Sequence, residues 1–180
     1  SLFSIVLCLD NTSFDPWGGY SVSTSDNLDA FTYNPAGFAI DHGRNVGWNF
    51  SADSSFTYGS KIDGFGYSLK YYKGDKLFNA TDVNIAFAGK INSIASFGSK
   101  WSKFNKQISL GFLLRPANSL SIGVVSNFDE DLHDLISYRA GFALRPLKND
   151  KITMGLDMML CPLQIGSTTL MLRMKLQFWT

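Results

Sequence analysis

Large apolar side chains alternate with small or polar ones along most of the chain beyond Arg44. Successive side chains of a β-strand point to opposite faces of the sheet, so a period of two predicts strands with one apolar face. No segment with a helical period competes with this interpretation. The alternation predicts about nine strands, in residues 46–52, 65–71, 83–88, 95–101, 108–114, 120–124, 138–144, 152–158 and 170–178.

Two of these stretches are near repeats of one another. Gly111-Phe-Leu-Leu-Arg-Pro116 and Gly141-Phe-Ala-Leu-Arg-Pro146 begin thirty residues apart, and each is followed by a short polar break and a second alternating stretch. A strand, a short turn and another strand form a β-hairpin. The repeat therefore predicts an antiparallel, up-and-down arrangement of neighbouring strands.

The face opposite the large apolar residues carries mainly Gly, Ser, Ala and Asn. The solvent-exposed face of a soluble sandwich is normally rich in long polar side chains, whereas small residues suit a crowded inner wall. Charged residues make up 17% of the chain, against about 25% in soluble proteins. The pattern favours a transmembrane β-barrel of about 8–10 strands in residues 46–180. A soluble barrel or sandwich, with its large side chains inside, is the alternative.

The first 45 residues do not share the alternation. Residues 1–9 contain an apolar run that is typical of the end of a secretory signal, and an ordinary first strand is the alternative. Residues 10–45 have the composition of loops, and we predict that they form a short N-terminal plug. Pro35 fixes its own φ angle and restricts Asn34, so we expect a break in regular structure there. The alternation is compatible with a complete small barrel and with a piece of a larger one, and both alternatives stay open.

The composition argues against several classes of function. Lys and Arg number 16 and Asp and Glu number 15, so the chain lacks the positive charge that nucleic-acid binding requires. Only His42 and His133 are available for histidine chemistry, and no nucleophile elbow, P-loop or dinucleotide motif is present. The acidic stretch Asp129–Asp134 lacks the spacing of a calcium loop. We predict no enzyme activity, no catalytic residues, no cofactor and no metal site.

Residues 18–39 resemble the N-terminal signature of the FadL-like outer-membrane proteins. This superfamily includes long-chain fatty-acid transporters and the PorV-type proteins of a secretion system. Its shared pattern is a glycine-rich start, an Asp-Ala pair, and Asn-Pro-Ala-Gly before a hydrophobic residue. The matching residues here are Gly18-Gly19, Asp29-Ala30 and Asn34-Pro35-Ala36-Gly37-Phe38.

The resemblance implies a protein of the bacterial outer membrane that binds or passes hydrophobic small molecules, with membrane lipid around it. Asn34, Pro35, Ala36, Gly37 and Phe38 would then lie inside the barrel and be displaced by the ligand. One alternative is a non-transporting scaffold with an envelope protein as partner, either a PorV-like secretion component or the barrel module of an envelope peptidase. A soluble, lipocalin-like protein is a third.

Overall fold

The computed structural model describes residues 4–7, 21–50, 56–71, 81–145, 152–162 and 168–178, and gives the backbone alone for 4–7, 81, 152–154, 160–162 and 168–178. The described residues contain two 3-10 helices, Leu28–Phe31 and Pro35–Ala39. They also contain eleven strands: β1 (Ser4–Leu7), β2 (Arg44–Phe50), β3 (Phe56–Ile62), β4 (Phe65–Tyr71), β5 (Thr81–Lys90), β6 (Ala95–Ser102), β7 (Gln107–Ala117), β8 (Leu120–Asp129), β9 (Leu135–Leu144), β10 (Ile152–Pro162) and β11 (Thr168–Phe178).

All the strands belong to one sheet in the order β1-β11-β10-β9-β8-β7-β6-β5-β4-β3-β2. From β2 to β11 each strand pairs antiparallel with the next one in the chain, and β1 pairs parallel with β11. The predictions of an all-β fold and of an antiparallel, up-and-down sheet are confirmed. Within the described residues, however, β1 and β2 lie at opposite edges and do not pair. The sheet is therefore open there, and the closed barrel that the alternation favoured is not formed.

One strand, β3, was not predicted from the sequence, because its alternation of large apolar and small residues is interrupted. Phe56 and Tyr58 are followed on the same face by Ser60 instead of a third large apolar residue, and Lys61 lies on the opposite, small-residue face. Residues 51–55, the first two of which belong to a predicted strand, and residues 72–80 lie outside the described residues.

The N-terminal residues also differ from expectation. Ser4–Leu7 form β1, which corresponds to the alternative of a first strand, while the rest of residues 1–9 and residues 10–20 lie outside the described part of the chain. The predicted break lies at Asn34, which is extended (φ −152°, ψ 109°) between the two 3-10 helices, whereas Pro35 itself is the first residue of the second helix. The first position of a helix needs no N–H partner, so proline is readily accepted there.

The two faces of the sheet have opposite exposure. Large side chains on the apolar face are accessible, most of all Trp48 at 67% and Phe50 at 76%. We call the opposite side the small-residue face; its buried members include Gly66, Ser68, Ala86, Ser96, Gly98, Ser109, Gly111, Ser121, Gly123, Ser137, Gly141 and Ala143. No helix in the described ranges is long and apolar enough to cross a membrane.

Candidate functional site

Residues 21–40, which we call the N-terminal segment, cover the small-residue face. At one end of the contact the Lys61 ammonium, from β3, donates to the Asp26 carbonyl (3.2 Å); at the other, the Val22 N–H donates to the Asp157 carboxylate, from β10 (3.2 Å). Seven inter-strand steps of a flat sheet would span about 34 Å. The segment is folded on itself, since Asn34 bonds to the Val22 carbonyl at 2.9 Å. The sheet must therefore curve around it.

The side chain of Asn34 links Val22 and Ala36, both in the N-terminal segment, to Phe112 on β7. The Asn34 side chain is fully buried. The amide nitrogen donates to the carbonyl oxygens of Val22 (2.9 Å) and Phe112 (3.0 Å), and the amide oxygen accepts from the Ala36 N–H (3.1 Å). Only a neutral amide can make all three bonds at once, because it offers two hydrogens and an acceptor on one planar group.

Residues 35–38 lie against glycines of the sheet. A Cβ atom added at Gly98 would come within 2.5 Å of the Pro35 carbonyl, and one at Gly111 would overlap the Asn34 side chain. The Phe38 ring lies over Gly66, and the Ala36 carbonyl accepts from Ser96 (3.1 Å). Asn34, Pro35, Ala36, Gly37 and Phe38 are all buried at this contact. Because glycine has no side chain, Gly66, Gly98 and Gly111 leave the space that the segment occupies.

A cluster of charges holds the other part of the segment. The Asp26 carboxylate forms an ion pair with Arg115 on β7. It forms a second one, at 3.6 Å, with Arg145, the residue that follows β9. Both arginine side chains are less than one-fifth exposed. This cluster was not predicted from the sequence, although a signal was present. Arg115 and Arg145 occupy the same position of the two near repeats.

A cavity of about 330 Å³ lies between the N-terminal segment and the sheet. Its lining is mainly polar and includes three cationic side chains, Lys70, Lys100 and Arg139, and the carboxylate of Asp82. The Lys100 ammonium donates to the Phe31 carbonyl at 2.7 Å. The remaining lining residues are Phe31, Thr32, Tyr33, Pro35, Thr57, Ser68, Asn84, Asn105, Gln107, Ser109, Val125 and Asn127.

The acidic stretch Asp129–Asp134 forms a loop that is stabilised by hydrogen bonds from its own backbone N–H groups. The Asp129 carboxylate accepts from the N–H groups of His133 (2.8 Å) and Asp134 (3.1 Å). Among the described residues no group of three or more His, Cys, Asp or Glu side chains is placed to hold a metal ion.

No family model matches this chain, and neither a curated protein nor a solved structure shows significant similarity to it. The FadL-like resemblance therefore stays a prediction that depends on the quoted residues.

Proposed function

We propose that this chain is a membrane-embedded β-protein of the bacterial outer-membrane type. The observation that carries the proposal is the exposure of its apolar face, where Trp48, Phe50 and Phe87 are each more than half exposed. Monomeric soluble proteins rarely expose a contiguous apolar patch larger than a few hundred Å². Hydrocarbon, by contrast, solvates such a face at no cost, while the N-terminal segment covers the other one.

A barrel is the form of this sheet that a membrane tolerates. The free edges of β1 and β2 carry backbone N–H and C=O groups that would have no partner in hydrocarbon, at a cost of several kcal/mol for each group. Closure of the sheet removes both edges, so closure is part of the proposal.

We propose further that the protein binds or passes small molecules and that the N-terminal segment is its closed gate. A molecule that crosses along the small-residue face has to displace residues 21–40, because they occupy the space beside Gly98 and Gly111. The resemblance implies a hydrophobic molecule, whereas the cavity next to the segment is lined mainly by polar groups. The cavity therefore supports a polar solute better.

A non-transporting scaffold is the second candidate, and the close packing of the segment favours it. The Gly98 contact is with the Pro35 backbone, which cannot rotate away as a side chain can. If the segment never leaves the sheet, the protein is a sealed wall that could carry an envelope partner. Solute leakage from liposomes separates the two candidates.

The membrane assignment is tested by Phe112→Arg. Phe112 lies in the middle of β7 on the apolar face and is 38% exposed. An arginine facing hydrocarbon near the middle of a barrel strand costs about 2 kcal/mol or more. We expect Phe112→Arg to lower the stability of the liposome-inserted protein by that amount in urea unfolding.

The matched control is Ile91→Arg, in the turn between β5 and β6, where the side chain is 63% exposed. Its charge would lie at the membrane surface and should change stability by less than about 0.5 kcal/mol. A wild-type protein that folds as a monomer without detergent or lipid would exclude the membrane assignment.

The gate is tested by Asp26→Asn, which removes the charge that pairs with Arg115 and Arg145. Because the Asp26 side chain is about one-third exposed, we expect a loss of stability of only about 1–2 kcal/mol. Liposomes that contain Asp26→Asn should release an entrapped small dye faster than those with the wild-type protein. The control is Asp63→Asn, at an exposed carboxylate 3.9 Å from His42. Equal leakage from all three proteins would favour the scaffold.

A further inference from the structure

We propose that the cavity beside the N-terminal segment binds the oxyanion group, a carboxylate or a phosphate, of a small hydrophilic molecule. Lys100 and Ser109 would hold the anion, with Thr57, Lys70 and Arg139 in the same lining. The inference goes beyond the proposed function, because the cavity can bind an anion whether the apolar face meets lipid or water.

Two buried hydroxyl groups in the lining point to a ligand. Thr57 and Ser109 are 4% and 2% exposed, and their hydroxyl oxygens have no hydrogen-bond partner among the described residues. A buried hydroxyl without a partner costs about 1–3 kcal/mol. Both residues line the cavity, so a bound molecule there could accept the hydrogen bonds that the protein does not.

Strand pairing places each of these hydroxyl groups beside a cation. Ser109 on β7 is directly opposite Lys100 on β6, and Thr57 on β3 is directly opposite Lys70 on β4. Side chains at directly opposite positions have their Cβ atoms about 5 Å apart. A hydroxyl and a flexible lysine ammonium on such neighbouring Cβ atoms can both donate to one anionic oxygen, and charge-assisted bonds of this kind are the stronger class.

The charge balance of the lining also favours an anion. Three of the lining side chains are cationic and one, Asp82, is acidic. The Asp82 carboxylate already accepts from the Asn84 amide (3.2 Å) and from the Phe104 N–H (3.1 Å). An anionic group in the cavity would therefore meet a lining with more positive than negative side chains.

The size and polarity of the cavity limit the ligand. A volume of about 330 Å³ is at the lower end of the range of ligand pockets. Asn84, Gln107 and Asn127 add hydrogen-bond donors and acceptors to the lining. The smaller part of the lining is apolar, so there is little surface against which an alkyl chain could be buried. The ligand is therefore small and hydrophilic outside its oxyanion group.

The test is calorimetric titration of the folded, solubilised protein with inorganic phosphate and with acetate, each against sodium chloride at the same ionic strength. We expect saturable binding of at least one probe, and which of the two binds more tightly distinguishes a phosphate from a carboxylate ligand. Ser109→Ala should weaken that binding about tenfold or more. Lys100→Gln should weaken it further, and Lys90→Gln, at an exposed lysine at the end of β5, should not change it.

Stability without the anion provides the second measurement. Ser109→Ala removes a hydroxyl that has no partner, so the anion-free variant should be as stable as the wild type or more stable. Ser99→Ala, on the apolar face of β6, is the control for loss of a hydroxyl and should leave binding unchanged. The proposal is overturned if neither probe binds saturably, if Ser109→Ala binds as tightly as the wild type, or if that variant is destabilised without anion. None of these outcomes depends on whether the protein enters membranes.

Discussion

Replacing Asn34 with Asp should lower the free energy of unfolding by about 4 kcal/mol. Aspartate has almost the shape of asparagine, but its ionised carboxylate cannot donate to the carbonyl oxygens of Val22 and Phe112. Two hydrogen bonds would be lost, and a negative charge would face two carbonyl oxygens in a site with no exposure. Urea unfolding of the solubilised protein, followed by tryptophan fluorescence, measures the change.

Asn92→Asp is the matched control for this substitution. Asn92 lies in the turn between β5 and β6, where its side-chain oxygen accepts from the N–H groups of Ile94 (2.9 Å) and Ala95 (2.8 Å). An aspartate keeps both bonds, so the change should stay below about 0.5 kcal/mol. A similar loss for both variants would mean that the Asn34 donors do not hold the segment to β7.

Gly98→Val should lower the free energy of unfolding by at least about 3 kcal/mol and lift the N-terminal segment away from β6. The Cβ of the new side chain would come within 2.5 Å of the Pro35 carbonyl and 2.6 Å of the Ala36 nitrogen. Both are backbone atoms, so the collision can be relieved only by moving the segment. Limited proteolysis within residues 21–40, together with urea unfolding, reports the two effects.

Gly89→Val is the control, because a Cβ at Gly89 would have no atom within 4 Å. It lies near the end of β5, and valine is favoured in strands, so we expect no loss of stability and no new cleavage. If Gly98→Val unfolds like the wild type and its segment stays protected, the close contact between Pro35 and β6 does not exist in solution.

Most of the strands could be predicted because their signal is local. The alternation of Ile108, Leu110 and Phe112 reappears directly in β7, and the near repeat around Gly111 and Gly141 corresponds to β7 and β9. Where the alternation fails locally, the prediction fails too. Ser60 interrupts the apolar face of β3, so β3 was missed.

The candidate site could be predicted only in part. The Asn-Pro-Ala-Gly stretch was noticed, but its bonds reach across the chain, from Asn34 to Phe112. The equivalent positions of Arg115 and Arg145 were visible in the repeats, whereas their shared partner, Asp26, is far away in sequence. The cavity brings together residues of seven consecutive strands, β3 to β9, of the turn between β6 and β7, and of the N-terminal segment. Local sequence patterns carry no information about contacts between residues that are far apart in the chain.

The sequence by itself determined that the chain forms strands, that neighbouring strands are antiparallel, and that one face is large and apolar while the other is small. These properties follow from the alternation of side chains along a strand and from short turns, which are both local. Only the tertiary structure decided that residues 21–40 cover the small-residue face, that Asp26 joins two arginines, and that a polar cavity remains. These features depend on contacts between residues far apart in the chain, whose geometry is set by the curvature and register of the whole sheet.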